Sequence, residues 1–458
     1  PVMTDHVTIV GAGPAGSMLS ILLARQGLSV TMYESRPDMR TSDISAGRSI
    51  NLALATRGIE ALSEVGVMSE VEEILIPMMG RLIHDDGGGI SMQLYGNRPH
   101  EYINSVSRTA LTSILLDAAE ATGRVEINFD MRCQGVDFEG GVLHFTGSTS
   151  GEVSHVPFTT VFGTDGSASA VRDALLEVND GSVVLEPLVH GYKELTMPTG
   201  SDGGSQIERE ALHIWPRRDF MLIALPDLEG TFTVTLFLAN EGPTDSFEYL
   251  ASDGSVSGFF EEHFADFAPL VPDLADQFAD HPHGRLATVR TTGWAYDDRA
   301  VILGDASHGV VPFHGQGMNA AFESCVVLDA CMRDYPGDWA TAFTEFEKGR
   351  KPDTDAIADM AVANYVEMSS SVVDERYQLK RTVALELDRL WPEQFTPRYA
   401  MVMFQTIPYA EVQRRAALQG EVLEQLTGGL TDIDEVDWAG AEKMVAELDF
   451  NQASDTGA

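Results

Sequence analysis

Apolar residues follow two rhythms along this chain. Near the start, "HVTIV" at 6–10 is almost continuously apolar, and "SVTMYE" at 29–34 alternates. Between them, Ala15 to Gln26 places apolar residues at helical spacing. That order predicts a strand, a helix and a second strand, the βαβ unit. "RTALTSILLDAAEATG" at 108–123 reads as an amphipathic helix closed by a glycine. "VEINFD" and "GVLHFTG" alternate like sheet strands, as do "ALHIW", "FMLIAL" and "TFTVTLFL" between Ala211 and Leu238. Residues 199–205, "TGSDGGS", read as a loop. From Met318 to about Glu447 the pattern is mostly helical, and "NQASDTGA" at 451–458 is expected to be disordered.

Composition narrows the class. A chain of 458 residues, 44% of them apolar, with 42 glycines, suits a globular enzyme with a large core. No run of apolar residues is long enough to span a membrane, and no leader pattern precedes "HVTIV". The acidic end, "TDIDEVDWAGAEKMVAELDF", offers no apolar anchor, so a soluble cytoplasmic protein is expected. The three cysteines, Cys133, Cys325 and Cys331, form no CxxC, which argues against a disulfide framework or a structural zinc site. The net charge of −40, with only five lysines, argues against nucleic acid or an anionic membrane as a partner. The same charge fits a high-salt cytoplasm or simply a solubilising surface.

Three glycine-rich turns carry the candidate chemistry. Gly11, Gly13 and Gly16 form a GxGxxG between the first strand and its helix. Such a turn lets backbone N–H groups meet a pyrophosphate at the positive end of a helix. Glu34 ends the second strand, where a carboxylate can take a ribose hydroxyl pair. Asp165-Gly166 and Gly304-Asp305 each follow a further strand, and Gly315 and Gly317 precede a helix start. Only one dinucleotide fold is visible, which argues against a two-nucleotide disulfide reductase.

The three turns, in this order, resemble class A aromatic hydroxylases of the p-hydroxybenzoate hydroxylase fold. "GRSINLAL", "YINSVSR", "HGYKEL", "LHIWPR", "GDASHGVVPFHGQGMN", "NYVEMSS" and "PRYAMVMF" are similar to segments of the kynurenine 3-monooxygenase family. The likeness runs from about Val7 to Glu411, with Ser307 where the family usually has alanine. It implies an α/β fold: a glutathione-reductase-like FAD-binding Rossmann domain, an inserted and mostly antiparallel β-sheet substrate domain, and a C-terminal helical region. The corresponding spans are 1–74, 105–176 and 289–345 for FAD, 75–104 and 177–288 for the substrate sheet, and 346–450 for the helices.

The resemblance also implies roles. FAD would meet the Gly11, Gly13 and Gly16 turn, Ala15, Tyr33, Glu34, Ser35, Arg36, Ala53, Arg108, Cys133 through its backbone, Asp165, Asp305, Gly317, Met318 and Asn319. Arg81, Tyr95, Asn364 and Tyr399 would hold the amino-acid end of L-kynurenine. Met221, Leu225, Phe237, Phe313, His314 and Met368 would wall its ring. NADPH and O2 would be co-substrates, and a flavin C(4a)-hydroperoxide would deliver oxygen to give 3-hydroxykynurenine. No acid–base residue is assigned, because the aniline nitrogen already activates the ring. No metal cluster is expected. A substituted kynurenine as substrate, and a flavin-binding protein without turnover, stay open, as does monomer against dimer. Without the resemblance, Arg81 reads as a surface arginine, Tyr95 and Tyr399 as core tyrosines, Asn364 as an interhelical hydrogen bond, and His314 as a packed loop residue. His308 and Ser307 have no assigned role.

Overall fold

Val7 and Ile9 are fully buried because their strand, His6–Val10, has a parallel neighbour on each side. A strand covered on both faces must be apolar on both, which is why "HVTIV" does not alternate. In the computed structural model, which describes residues 5–41, 50–252, 254–369, 371–448 and 450, this strand sits inside a six-stranded sheet. The order is Ala295–Tyr296, Ala300–Ile302, Val161–Gly163, His6–Val10, Ser29–Tyr33 and Val125–Asn128. All its pairings are parallel except the first. The helices Pro14–Arg25, Arg108–Ala121 and Gly317–Asp334 pack together beside it, and their apolar faces join one core with Phe162, Phe322 and Phe343. The 451–458 tail and the first three residues of "GRSINLAL" lie outside the described residues.

The second large sheet has seven strands, in the order His283–Thr292, Ser182–Met197, Phe232–Ala239, Phe220–Pro226, Leu212–Arg217, Gly80–His84 and Ile90–Leu94. Its pairings are antiparallel except that Leu212–Arg217 runs parallel to Gly80–His84. Side chains alternate across a strand, so its two faces can be read off by number. Leu212, Ile214, Met221, Leu225 and Phe237 join one core with Tyr95 and Phe313. Trp215, Leu222, Ala224, Leu236 and Leu238 join another, closed by Phe260, Phe264 and Phe267. The helices that supply this cover, Phe247–Ser252, Val256–His263 and Leu274–Asp280, have no counterpart among the expected elements. They explain why these strands are apolar on both faces.

The remaining chain is helical, as its period indicates. Trp339–Ser369 is the longest helix, followed by Glu375–Leu390, Arg398–Phe404, Tyr409–Thr427 and Trp438–Ala446. No helix among the described residues is long and apolar enough to cross a membrane.

His308 acquires a role in this core. Its Nε2 lies 3.1 Å from Ser324 Oγ, its ring packs on Trp294, and burial together with the Arg350 charge pulls its pKa down to about 3. An unfolded histidine takes a proton below about pH 6.5, whereas the folded one stays neutral. The stabilisation is therefore full above that pH and is lost as pH falls towards the folded value. Between pH 7 and pH 5 this histidine accounts for about 2 kcal/mol of lost stability. His308→Gln is expected to lose that much less than wild type over the same interval in urea unfolding. Equal losses would remove His308 from the account.

Candidate active site

The first turn shows its purpose in what each glycine faces. A Cβ on Gly11, which has φ +99°, would lie 2.4 Å from the Thr164 carbonyl oxygen. One on Gly16 would lie 2.0 Å from the Gly11 carbonyl oxygen. Both are needed for strand and helix to approach closely. A Cβ on Gly13 would meet no protein atom within 4 Å, and Gly13 borders a cavity instead. A turn that keeps open space before its middle glycine is shaped for a ligand's phosphates.

That cavity has a volume of about 430 Å³ and runs between the two large sheets. Gly13, Ala15, Ala53, Arg108, Asp305, Gly317 and Met318 line the nucleotide side. Asp305 lies deep in the molecule, yet its side chain is exposed because the cavity opens onto it. Burial raises its pKa, Arg108 opposes the rise, and no side chain among the described residues bonds to it. Such a carboxylate suits the hydroxyls of a ribityl or ribose chain. The helix Gly317–Asp334 begins at the cavity with no side chain capping its first N–H groups, because its N-cap residue Gln316 turns away to Tyr409 and Met403. The bare positive helix end, the open Gly13 turn and the deep Asp305 together fit the pyrophosphate, sugar and ring of FAD.

Other expected cofactor residues do not line the cavity. Glu34 accepts from the Ala12 N–H at 2.9 Å and from Arg36 Nε at 2.8 Å. Burial alone would raise its pKa, but Arg36 and the backbone N–H groups outweigh this and lower it. Ser35 leans on the same carboxylate, and Tyr33 stacks on Phe145 with ring centroids 4.4 Å apart. Asp165 accepts from Ser169 and from the Val171 N–H at the start of a helix. Cys133 is half-buried on a neighbouring sheet, its thiol pushed up to about 12 by burial and by Asp165. Asn319 uses both ends of its amide on backbone. It accepts from the Ala55 N–H and donates to the carbonyls of Ala53 and Gly315, at 2.9 Å each. It therefore ties the cavity loop to the strand Asn51–Leu54, and a direct ligand bond from its side chain is not what the structure offers.

On the opposite side Leu225, Phe237, Phe313, His314 and Met368 line the same cavity with Arg81 and Tyr399. Phe237 meets Phe313 edge-on at 4.9 Å. Met221 pairs with Phe237 across the sheet but is fully buried and does not line the space. Arg81, on the odd face of its strand, is buried with its guanidinium 4.9 Å from the Tyr399 ring centre. Tyr95 stacks on Tyr399 at 5.0 Å, and His314 stacks on it at 5.4 Å. Asn364 gives its amide to the Phe313 carbonyl at 2.6 Å.

These residues share an unusual property. Arg81 Nε, Tyr95 Oη, both ring nitrogens of His314 and Asn364 Oδ1 are buried without a hydrogen-bond partner of normal geometry. Arg81 and Tyr399 do lie near enough to Tyr95 to bias its ionisation, with burial the larger influence, and its pKa is well raised. Burial, then the Arg398 charge, takes His314 down to about 3, so its ring is neutral at ordinary pH. Unpaired buried polar groups are costly, and those of Arg81 and His314 border the cavity, which marks a polar ligand's place there, whereas Tyr95 and Asn364 do not line it.

Sequence reading missed Glu367. It accepts from Arg81 at 3.0 Å, from Arg398 at 3.0 Å and from the Tyr377 hydroxyl at 2.5 Å. Burial raises its pKa, but the Arg81 and Arg398 charges reverse this, and it stays ionised. Its position three residues after Asn364 on one helix face was the available signal.

A family model described as "FAD binding domain" matches residues 4–183. The chain is similar in fold to 2-methyl-3-hydroxypyridine-5-carboxylic acid oxygenase, with TM-score 0.65 and 19% identity over 82% of this chain and 96% of that one. PqsL of Pseudomonas aeruginosa, solved with 2-aminobenzoylacetate, gives TM-score 0.62 and 21% identity over 80% and 97%. With the cavity described above, this defines an FAD-binding protein that shares the fold of these oxygenases. Curated relatives are closer. The kynurenine 3-monooxygenase of Myxococcus xanthus is 46% identical over 96% of this chain and 95% of its own length. That of Stenotrophomonas maltophilia is 44% identical over 96% of each. The chain belongs to the kynurenine 3-monooxygenase family.

Proposed function

We propose that this protein hydroxylates L-kynurenine to 3-hydroxykynurenine, with FAD as its cofactor and NADPH and oxygen as co-substrates. The observation that carries this reading is the polar wall at the end of an apolar slot. Kynurenine ends in a carboxylate and an ammonium; Arg81 lines the slot and would take the carboxylate, and Glu367, which does not line it, pairs with Arg81 at 3.0 Å. Arg81 Nε, buried without a partner of normal geometry on a residue that lines the slot, is the group that would take the carboxylate. Phe237, Phe313, Leu225 and Met368 hold the ring and exclude water. The names of the curated relatives support the same substrate.

Bound FAD supplies the redox chemistry: it accepts hydride from NADPH and activates oxygen for transfer to an electron-rich ring. The protein's part is electrostatic and steric. The N-terminus of the helix Gly317–Asp334 faces the cavity and stabilises negative charge placed there. Asp305 and Arg108, which line the nucleotide side of the cavity, would hold the cofactor's polar chain. Neutral His314 can donate from one ring nitrogen and accept at the other.

The test is NADPH oxidation by the purified yellow protein, with and without L-kynurenine, followed by mass spectrometry of the product. Kynurenine is expected to accelerate oxidation and to gain one oxygen atom. No acceleration and no oxygenated product would overturn the reading.

A further inference from the structure

Two carboxylates open onto the cavity between the sheets, and the hydroxyls of the cofactor's chain account for one of them, Asp305. The other is Glu194, on the strand Ser182–Met197 of the seven-stranded sheet. No side chain or backbone N–H among the described residues bonds to its carboxylate. Burial raises its pKa, and Arg108, then His281, opposes the rise. Nothing in the sheet calls for a carboxylate there: strands disfavour glutamate, and an enclosed carboxylate without a hydrogen bond is costly.

Its place follows from its neighbours. Burial and the Arg36 charge lower the Arg108 pKa, while Asp305, Glu34 and Glu194 act against this, so Arg108 lies in the field of both cavity carboxylates. Glu194 stands opposite Thr235 across the sheet, and the next pair on the same face is Tyr192 and Phe237. Phe237, which walls the aromatic end, is therefore about 7 Å further along the strand direction. Glu194 sits between the group that would hold the cofactor's polar chain and the wall that would hold the substrate ring. The reactive ring of FAD belongs in that interval, with its chain anchored on one side and its substrate on the other. The bare N-terminus of the helix Gly317–Asp334 borders the same cavity with the opposite sign of charge.

We propose that Glu194 tunes the flavin: its carboxylate faces the ring's place and disfavours the form that carries added negative charge. A hydride brings two electrons and one proton, so reduction leaves the ring with one negative charge more. The helix N-terminus favours that charge and Glu194 resists it. The balance keeps the reduced flavin readier to give its electrons to oxygen than the helix alone would leave it. The inference rests on FAD as the cofactor and not on kynurenine, because the potential is read without substrate. A protein that left kynurenine unchanged would report it equally.

The test is the two-electron midpoint potential of the FAD-loaded protein, read against a reference dye in mildly alkaline buffer, where the carboxylate is ionised. Glu194→Gln keeps the shape of the side chain and removes its charge. It is expected to favour reduced over oxidised flavin about tenfold more than wild type does, which raises the potential by about 30 mV. Glu194→Asp keeps a charge on the same face and should stay much nearer the wild-type value. An unchanged potential in Glu194→Gln, or an equal rise in Glu194→Asp, overturns the proposal. So does loss of flavin from Glu194→Gln, which would make the side chain part of the cofactor's grip instead.

Discussion

Replacing Arg81 with methionine is expected to raise KM for kynurenine on the order of 100-fold, while the protein stays yellow. The magnitude follows from removing one member of a buried charge pair, about 3 kcal/mol. Methionine keeps most of the side-chain volume, so the packing against Tyr399 is largely retained. Two effects then add: the substrate's carboxylate loses its fork, and Glu367 loses one of its two arginines. The nucleotide half of the cavity is untouched, because Arg81 lies on the far sheet. Steady-state NADPH oxidation and the flavin absorbance of the purified variant check both halves of the statement. Loss of flavin with substrate affinity unchanged would place Arg81 on the cofactor instead.

Gly16→Val should produce the second large effect, a protein purified without colour. Its Cβ would press within 2.0 Å of the Gly11 carbonyl oxygen and 2.6 Å of Thr164 Oγ1. Gly11 cannot yield easily, since its N–H is held by the Tyr33 carbonyl at 2.8 Å. Strand and helix must separate, and the apoprotein itself should melt several degrees lower. Gly13→Ala is the informative contrast. Gly13 has φ −71°, which alanine adopts freely, and no protein atom meets the new Cβ. Apoprotein stability should change by no more than about 1 kcal/mol, yet FAD affinity should fall. If Gly13→Ala bound FAD as tightly as wild type, the open space before it would not be the phosphate site.

The contrast also shows what sequence could disclose. Gly16 has a local steric reason, its approach to the Gly11 carbonyl, and a local reason is written in spacing. The partial alternation in "TFTVTLFL" likewise indicated which residues share a face, whereas "FMLIAL" is apolar throughout and is buried on both faces. What sequence could not tell was the target of a polar side chain. Asn319 sits at the right place for a cofactor and spends its amide on backbone. Glu367 was invisible for a different reason. In a chain with 70 acidic residues, one more glutamate on a helix reads as solvated surface. Only burial between two arginines and a tyrosine separates it from the rest. The helices across 247–280 were missed, although strands apolar on both faces require a second cover.

The bond between Arg81 and Glu367 joins positions 286 residues apart. One end belongs to a sheet strand and the other to a helix that follows the whole nucleotide fold. The recognition proposed for the amino-acid end therefore cannot exist in a nascent chain that has already formed its first turn and the strands around it. Holding the cofactor and choosing the substrate become separable properties. Drift in the late helices can alter what is accepted while the flavin machinery stays intact, a division that lets one scaffold try new aromatic substrates without first losing its redox chemistry.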